Sequence, residues 1–210
     1  MIRIVNVTKK YKNVNVVKNI SLELNEGKIC GLVGRNGSGK TVLMKCITGF
    51  VIPTSGEIYF DNKKLGEDMD FAPDTGVIIE TPGFVGYQNA VENLLGLASI
   101  QKKIGKSQII EALELVGLDP ENKLKVGKYS LGMRQRLGIA QAIMEKPNTL
   151  ILDEPMNGLD KDGVEDMRKL FMKLREQGKT ILISSHNAED INILCDSVWE
   201  MDKGEVMRIK

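Results

Sequence analysis

Apolar and polar residues alternate from Ile2 to Thr8 and again from Val16 to Leu24. That period of two predicts half-buried strands. The turn Asn25-Glu26-Gly27 closes the second of them. Ile29 to Val33 is a continuous apolar run that meets a glycine, and Val42, Leu43 and Ile47 then fall on one helical face over Thr41–Thr48. The succession is strand, glycine-rich loop, helix. Gly56–Phe60 predicts a further strand before the turn Asp61-Asn62, and Val77–Ile79 a short, fully apolar one.

Between residues 89 and 146 the period changes to that of helices. Val91, Leu94, Leu95 and Ala98 make one stripe, and Ile109, Ile110, Leu113 and Val116 a second, with Gly117 placed to end it. Met133, Leu137, Ala140 and Met144 make a third, stopped near Pro147. Strands then return. Leu150-Ile151-Leu152 and Thr180–Ser184 are continuous apolar stretches of the kind that suits parallel strands covered on both faces. Between them Val164, Met167, Leu170 and Leu174 predict a helix over Lys161–Gln177. Val198–Met201 and Glu205–Ile209 flank Lys203-Gly204, a predicted hairpin. The pattern implies an α/β core with a helical lobe inserted in its middle. It does not reveal the strand order.

Length and composition narrow the function. A chain of 210 residues suffices for one well-buried domain with two lobes. The formal net charge of +1 argues against a strongly basic nucleic-acid footprint, so no nucleic-acid partner is expected. No apolar run reaches the roughly 18 residues that span a bilayer. Any membrane role is therefore expected to come through a partner. The three cysteines, Cys30, Cys46 and Cys195, are scattered and form no CxxC pair, which predicts buried free thiols in a reducing cytosol.

The chemistry concentrates in two stretches. Gly34-Arg35-Asn36-Gly37-Ser38-Gly39-Lys40-Thr41 fits GxxxxGK[ST] and lies between a predicted strand and a predicted helix. Glycines let backbone N–H groups converge on phosphate oxygens, and the positive helix end through Val42 points at the same place. Lys40 supplies a point charge to the β- and γ-phosphates, and the Thr41 hydroxyl is a Mg²⁺ ligand. The strand Leu150-Ile151-Leu152 ends in Asp153 and Glu154. Asp153 suits holding the hydrated metal, and Glu154 suits orienting and deprotonating an attacking water. ATP and Mg²⁺ are the expected ligands. A phosphate loop with such a strand still fits a GTPase, a kinase or a helicase.

Tyr129-Ser130-Leu131-Gly132-Met133-Arg134-Gln135-Arg136-Leu137 narrows the choice, because it resembles the signature motif of the ABC ATPase family at a similar spacing before Asp153. Ser130 is a good helix N-cap, and Gly132 lets a phosphate approach the helix start. The usual form is Leu-Ser-Gly-Gly-Gln. Ser130 and Gly132 match it, whereas Tyr129, Leu131 and Met133 depart from it. The resemblance extends over essentially the whole chain. It implies a P-loop NTPase core of ABC type with an N-terminal antiparallel β region and an inserted α-helical subdomain. The chain would be one ABC-type domain over 1–210, with its nucleotide-binding core in 1–80 and 147–210 and the helical lobe in 81–146.

The resemblance also implies roles. Tyr11 would stack on adenine. Ser130 and Gly132 would close over ATP held by a second subunit, giving a head-to-tail dimer, with a homodimer the simplest form. Met156-Asn157-Gly158-Leu159-Asp160 resembles the loop linking the two sites, although Asp160 also suits an N-cap. His186, the sole histidine, stands after Ile181-Leu182-Ile183 and Ser184-Ser185, where the family's switch histidine contacts the γ-phosphate. Lys40, Glu154 and His186 would be the catalytic set, and Thr41, Asp153 and Glu80 the metal set. Glu80 follows the Val77–Ile79 strand where the family usually has glutamine; it adds charge and removes the amide donors. Together with the Tyr-Ser-Leu-Gly-Met signature, it looks similar to the bacitracin- and lantibiotic-resistance branch of exporters. A membrane-spanning permease partner and a cytoplasmic position on the inner membrane face follow from the resemblance. The alternatives are a soluble ABC ATPase acting on ribosomes, DNA or cofactor assembly, and a regulatory module without turnover. The single phosphate loop and the absence of a long heptad insertion weigh against the first, and the set Lys40, Asp153, Glu154 and His186 against the second.

Overall fold

The computed structural model describes residues 1–210. Its first half contains β1 (Ile2–Tyr11), β2 (Val14–Leu24), β3 (Ile29–Val33), α1 (Lys40–Thr48), β4 (Ser55–Phe60), β5 (Lys63–Lys64) and β6 (Thr75–Ile78). The middle holds α2 (Ala90–Gln101), α3 (Lys106–Leu115), a 3₁₀ turn (Val126–Lys128) and α4 (Leu131–Ile143). Then follow β7 (Thr149–Asp153), α5 (Lys161–Glu176), β8 (Thr180–Ser184), α6 (Ala188–Leu194), β9 (Ser197–Asp202) and β10 (Glu205–Arg208).

Two sheets result. The antiparallel one has the order β2-β1-β4-β5; the larger has the order β10-β9-β3-β8-β7-β6 and is parallel except for the β9–β10 hairpin. The pleat explains why the middle positions of the central strands are all apolar. Leu150 and Leu152 of β7 and Ile181 and Ile183 of β8 pack into one cluster with the central helices and α5. Ile151 and Leu182 face the other way, into a cluster with α1 and the antiparallel sheet. A strand covered on both faces favours apolar residues along its middle, and β8 keeps its two hydroxyls, Thr180 and Ser184, at its ends. Helix α1 is clasped between the two sheets, with Leu43, Met44, Cys46 and Ile47 fully buried. All three cysteines are buried and free. No helix is long and apolar enough to cross a membrane.

Several elements differ from the sequence expectations. β5 and α6 are additional: β5 is too short for a period, and α6 is a seven-residue helix. β6 begins at Thr75 and stops before Ile79, because its register is set by parallel pairing with Thr149–Leu152. Leu95 is exposed, and the inner face of α2 is Ala90, Asn93, Leu94 and Ala98. The polar Asn93 is tolerated inside because its amide bonds both the N–H and the carbonyl of Val85 and the carbonyl of Asn89. α4 ends at Ile143, before Pro147. Gly117 has φ +73, and the N–H of Leu118 returns to the Leu113 carbonyl, so it does terminate α3.

α2 opens with a reciprocal cap: Asn89 Oδ1 accepts from the Glu92 N–H and Glu92 Oε2 from the Asn89 N–H. That backbone hydrogen bond, with Lys125 beside it, holds the Glu92 carboxyl below the usual carboxylate range. α4 lies so close to β6 that a Cβ on Gly76 would collide with the Ala142 carbonyl. This contact joins the helical segment to the sheet that carries the site.

Candidate functional site

The loop from β3 into α1 turns at Gly34, Gly37 and Gly39, all with positive φ. A side chain at Gly34 would strike the Met201 carbonyl of β9 as well as being conformationally strained. Lys40 is buried to 7% exposure and arches back over the loop, its Nζ donating to the carbonyls of Gly34 (2.6 Å) and Arg35 (3.3 Å). Ser38 Oγ is buried without a hydrogen-bond partner. A buried hydroxyl left unpaired by its own chain is uncommon, and Ser38 is among the residues that line the cleft of this loop, which fits a ligand oxygen as its partner. The surrounding cleft, about 340 Å³, is lined by Arg35–Val42, Asp153, Glu154 and Val16 of β2.

The far wall is built by adjacent strands. Parallel pairing sets Asp153, at the end of β7, beside Ser184, at the end of β8. Asp153 Oδ2 accepts from Thr41 Oγ1 at 2.6 Å, and Oδ1 accepts from Ser184 Oγ at 2.5 Å. A hydroxyl and a carboxylate oxygen held together are hard donors of the kind Mg²⁺ takes. Glu154 leaves the strand with φ +50, a conformation rare outside glycine. Three bonds hold it there: its N–H donates to Ser184 Oγ (2.8 Å), and its carbonyl accepts from Gln135 Nε2 of α4 (3.2 Å) and from the Asn157 N–H (3.1 Å). The bend turns its side chain toward His186, whose Nδ1 is 2.9 Å from Glu154 Oε2. The His186 side chain is 68% exposed.

Ser130 caps α4 by accepting from the Met133 N–H (3.1 Å). Behind it Tyr129 is buried, and burial pushes its phenol up. Gly132 lies against the Gly158 carbonyl, so the start of α4 packs on the loop Met156–Asp160. Asp160 caps α5 by accepting from the Gly163 N–H (2.9 Å). Neither Ser130 nor Gly132 lines the cleft of its own phosphate-type loop.

Of the expected site residues, Gly34 and His186 border the lining residues without joining the cleft wall, and Tyr11 and Glu80 stand apart from it. Tyr11 ends β1 at 45% exposure, with Lys9 Nζ 5.0 Å over its ring, and Val16 occupies the wall instead. Glu80, with φ +61, makes an ion pair with Lys45 of α1 (2.6 Å) and has no hydrogen bond to Thr41 or Asp153. Lys45 follows Thr41 by one helical turn, so the pair ties the end of β6 to the helix of the phosphate-type loop. Sequence reasoning missed Val16, Lys45, Gln135 and Ser184. Ser184 carried a usable signal, a hydroxyl closing an apolar parallel strand at the carboxyl end where ligands bind. The others carried none.

Residues 17–157 match the family described as ABC transporter. The chain is 43% identical over 206 residues to the uncharacterized ABC transporter ATP-binding protein YybJ of Bacillus subtilis, covering 98% of this chain and 94% of that one. It is 44% identical over 204 residues to the bacitracin transport ATP-binding protein BcrA of Enterococcus faecalis, covering 96% of this chain but 66% of that protein's length. Among solved structures it superposes with a TM-score of 0.89 on the dimeric, post-hydrolysis ATP-binding cassette MJ0796 bound to ADP and Pi, at 28% identity over 100% of this chain and 98% of the other.

Proposed function

The chain belongs to the ABC transporter family of ATP-binding proteins, and from that premise we propose how its own residues bind and hydrolyse ATP and what the hydrolysis drives. Loop amides of Gly34–Thr41 and Lys40 receive the phosphates, and the Ser38 hydroxyl gains the partner its own chain does not provide. Thr41 and Asp153 would hold Mg²⁺, joined by Glu80 if it exchanges Lys45 for the metal, and the ion would supply neutralisation of phosphate charge. Glu154 accepts the proton of a water whose oxygen attacks the γ-phosphorus in line; the bond to the β–γ bridging oxygen breaks, leaving ADP and phosphate. His186 fixes the Glu154 carboxylate and offers its other ring nitrogen to the γ-phosphate. The observation that carries this reading is the convergence of Lys40, Thr41, Asp153 and Glu154 on one cleft with His186 hydrogen-bonded to Glu154.

Ser130 and Gly132 act on ATP held by a second copy, and Tyr11 acts on the adenine. Residues 1–80 and 147–210 serve as the nucleotide-binding core and 81–146 as the helical lobe. Segment 80–93, where Val85 and Tyr87 are exposed, contacts a membrane-spanning permease and places the chain at the inner membrane face. The cargo is an antimicrobial peptide or drug that is exported, in keeping with the relation to BcrA. The test is an affinity pull-down of Glu154→Gln from native membranes with Mg·ATP. A multi-span membrane protein in the eluate is the expected result. Ribosomal or DNA-associated partners without a membrane protein would overturn the transport reading.

A further inference from the structure

Asp190 is a carboxylate at 4% exposure in α6, outside the catalytic set. Its Oδ1 accepts from both Nε (2.9 Å) and Nη2 (2.5 Å) of Arg168, a residue of α5 whose side chain is 13% exposed. Its Oδ2 accepts from the buried Ser185 hydroxyl (3.3 Å). Ser185 Oγ in turn accepts from the Asn187 N–H (3.1 Å). One hydroxyl thus closes the turn over His186 from both sides, and the Arg168–Asp190 pair anchors that hydroxyl to α5.

Taking two charges out of water consumes most of what their attraction returns, so such a pair is weak evidence of stabilisation in itself. What it does well is hold a geometry. His186 needs one, since its side chain is exposed and makes a single hydrogen bond, to Glu154. The helix that carries Arg168 is capped by Asp160, the end of the loop that packs on Gly132. The brace therefore ties the turn that carries the histidine to the helix that follows the loop packed on Gly132.

We propose that Asp190, clamped by Arg168, is a positioning residue that acts through Ser185 to hold His186 against Glu154. This inference rests on the assignment of Glu154 and His186 to water activation. Because His186 is the only histidine, chain labelled with ¹³C-histidine gives one imidazole signal that reports its surroundings directly. The experiment compares that signal, nucleotide Kd and single-turnover ATP hydrolysis in full-length wild type, Asp190→Asn, Ser185→Ala and His186→Ala. Asp190→Asn and Ser185→Ala are expected to shift or broaden the imidazole signal. They should slow hydrolysis by about ten- to a hundredfold with Kd unchanged, the size of effect a misplaced catalytic group produces. Arg168 keeps its exposed second partner, Glu189 (3.2 Å), in Asp190→Asn, but loses the buried one; if that variant does not fold, Ser185→Ala keeps the buried ion pair and decides alone. A folded Ser185→Ala or Asp190→Asn with the wild-type signal and rate overturns the brace while leaving the catalytic assignment standing. Wild-type hydrolysis by His186→Ala overturns the assignment and the brace with it.

Discussion

Ser184→Ala removes a single oxygen, and its consequences can be worked out bond by bond. Ser184 Oγ donates to Asp153 Oδ1 and accepts from the Glu154 N–H, and the residue is fully buried. The first bond is charge-assisted and the second neutral; losing both costs about 2–3 kcal/mol, taken below the sum of the usual ranges because Asp153 keeps Thr41. Glu154 can then leave its left-handed conformation, which returns about 1 kcal/mol. The net loss is about 1–2 kcal/mol, which for a chain of this size lowers Tm by about 2–8 °C. Turnover should fall far more, by about a hundredfold, because the carboxylate that meets the water is no longer aimed. The control is Thr180→Ala, at the opposite end of β8, where the hydroxyl accepts from the Gly27 N–H (3.2 Å). It should lower Tm by a few degrees without lowering turnover. Paired thermal melts and phosphate-release assays measure both. Wild-type turnover in a folded Ser184→Ala chain would refute the claim that this hydroxyl sets the Glu154 bend.

Lys40→Ala is expected to abolish turnover or weaken nucleotide binding, measured by phosphate release and by fluorescent-nucleotide titration; undiminished activity would remove the phosphate-site assignment. Glu154→Gln should bind ATP and accumulate as a dimer on size exclusion with little hydrolysis, and a monomer that hydrolyses normally would place the base elsewhere. Glu80→Gln releases Lys45 and should reduce ATP-driven transport in the reconstituted complex more than hydrolysis by the isolated chain; equal losses would make Glu80 chiefly a hydrolytic ligand. Burial pushes the Cys30 and Cys46 thiols up to about 11 and Cys195 up to about 12, from a model-compound value of 9.0. The unfolded chain then loses these protons first, so stability present below pH 9 falls as pH rises through 9 to 12, and denaturation midpoints at pH 8 and 10.5 should show it. Rapid labelling of the native thiols at pH 8 would contradict their burial.

What could be read from the sequence was contiguous. Gly34 to Thr41 act through backbone turns and a helix start, so their order along the chain already describes most of the loop, and the structure adds only that Lys40 arches back and Ser38 is left unpaired. Asp153 and Glu154 were legible because an apolar strand must end where its carboxylates begin. Ser130 and Asp160 were legible as caps, since a cap bonds a residue three places on. Periodicity located α2 and its stripe but misjudged Leu95, because which flank of a helix is covered depends on what packs there.

Everything that joins distant segments waited for the tertiary structure. The strand order β10-β9-β3-β8-β7-β6 leaves no local trace, because each parallel pairing is made across a long excursion of chain. That order alone puts Ser184 beside Asp153, and through it sets the bend at Glu154. Packing of the second sheet and the helices against it brings Val16 rather than Tyr11 to the cleft wall, Lys45 to Glu80, Gln135 to the Glu154 carbonyl and Arg168 to Asp190. Which groups the chain carries was plain from residue order, because glycine, lysine and carboxylate chemistry is written in neighbouring residues. Only the folded sheet and its covering helices decided which of those groups meet, because directed hydrogen bonds between remote side chains depend on register and packing rather than on order along the chain.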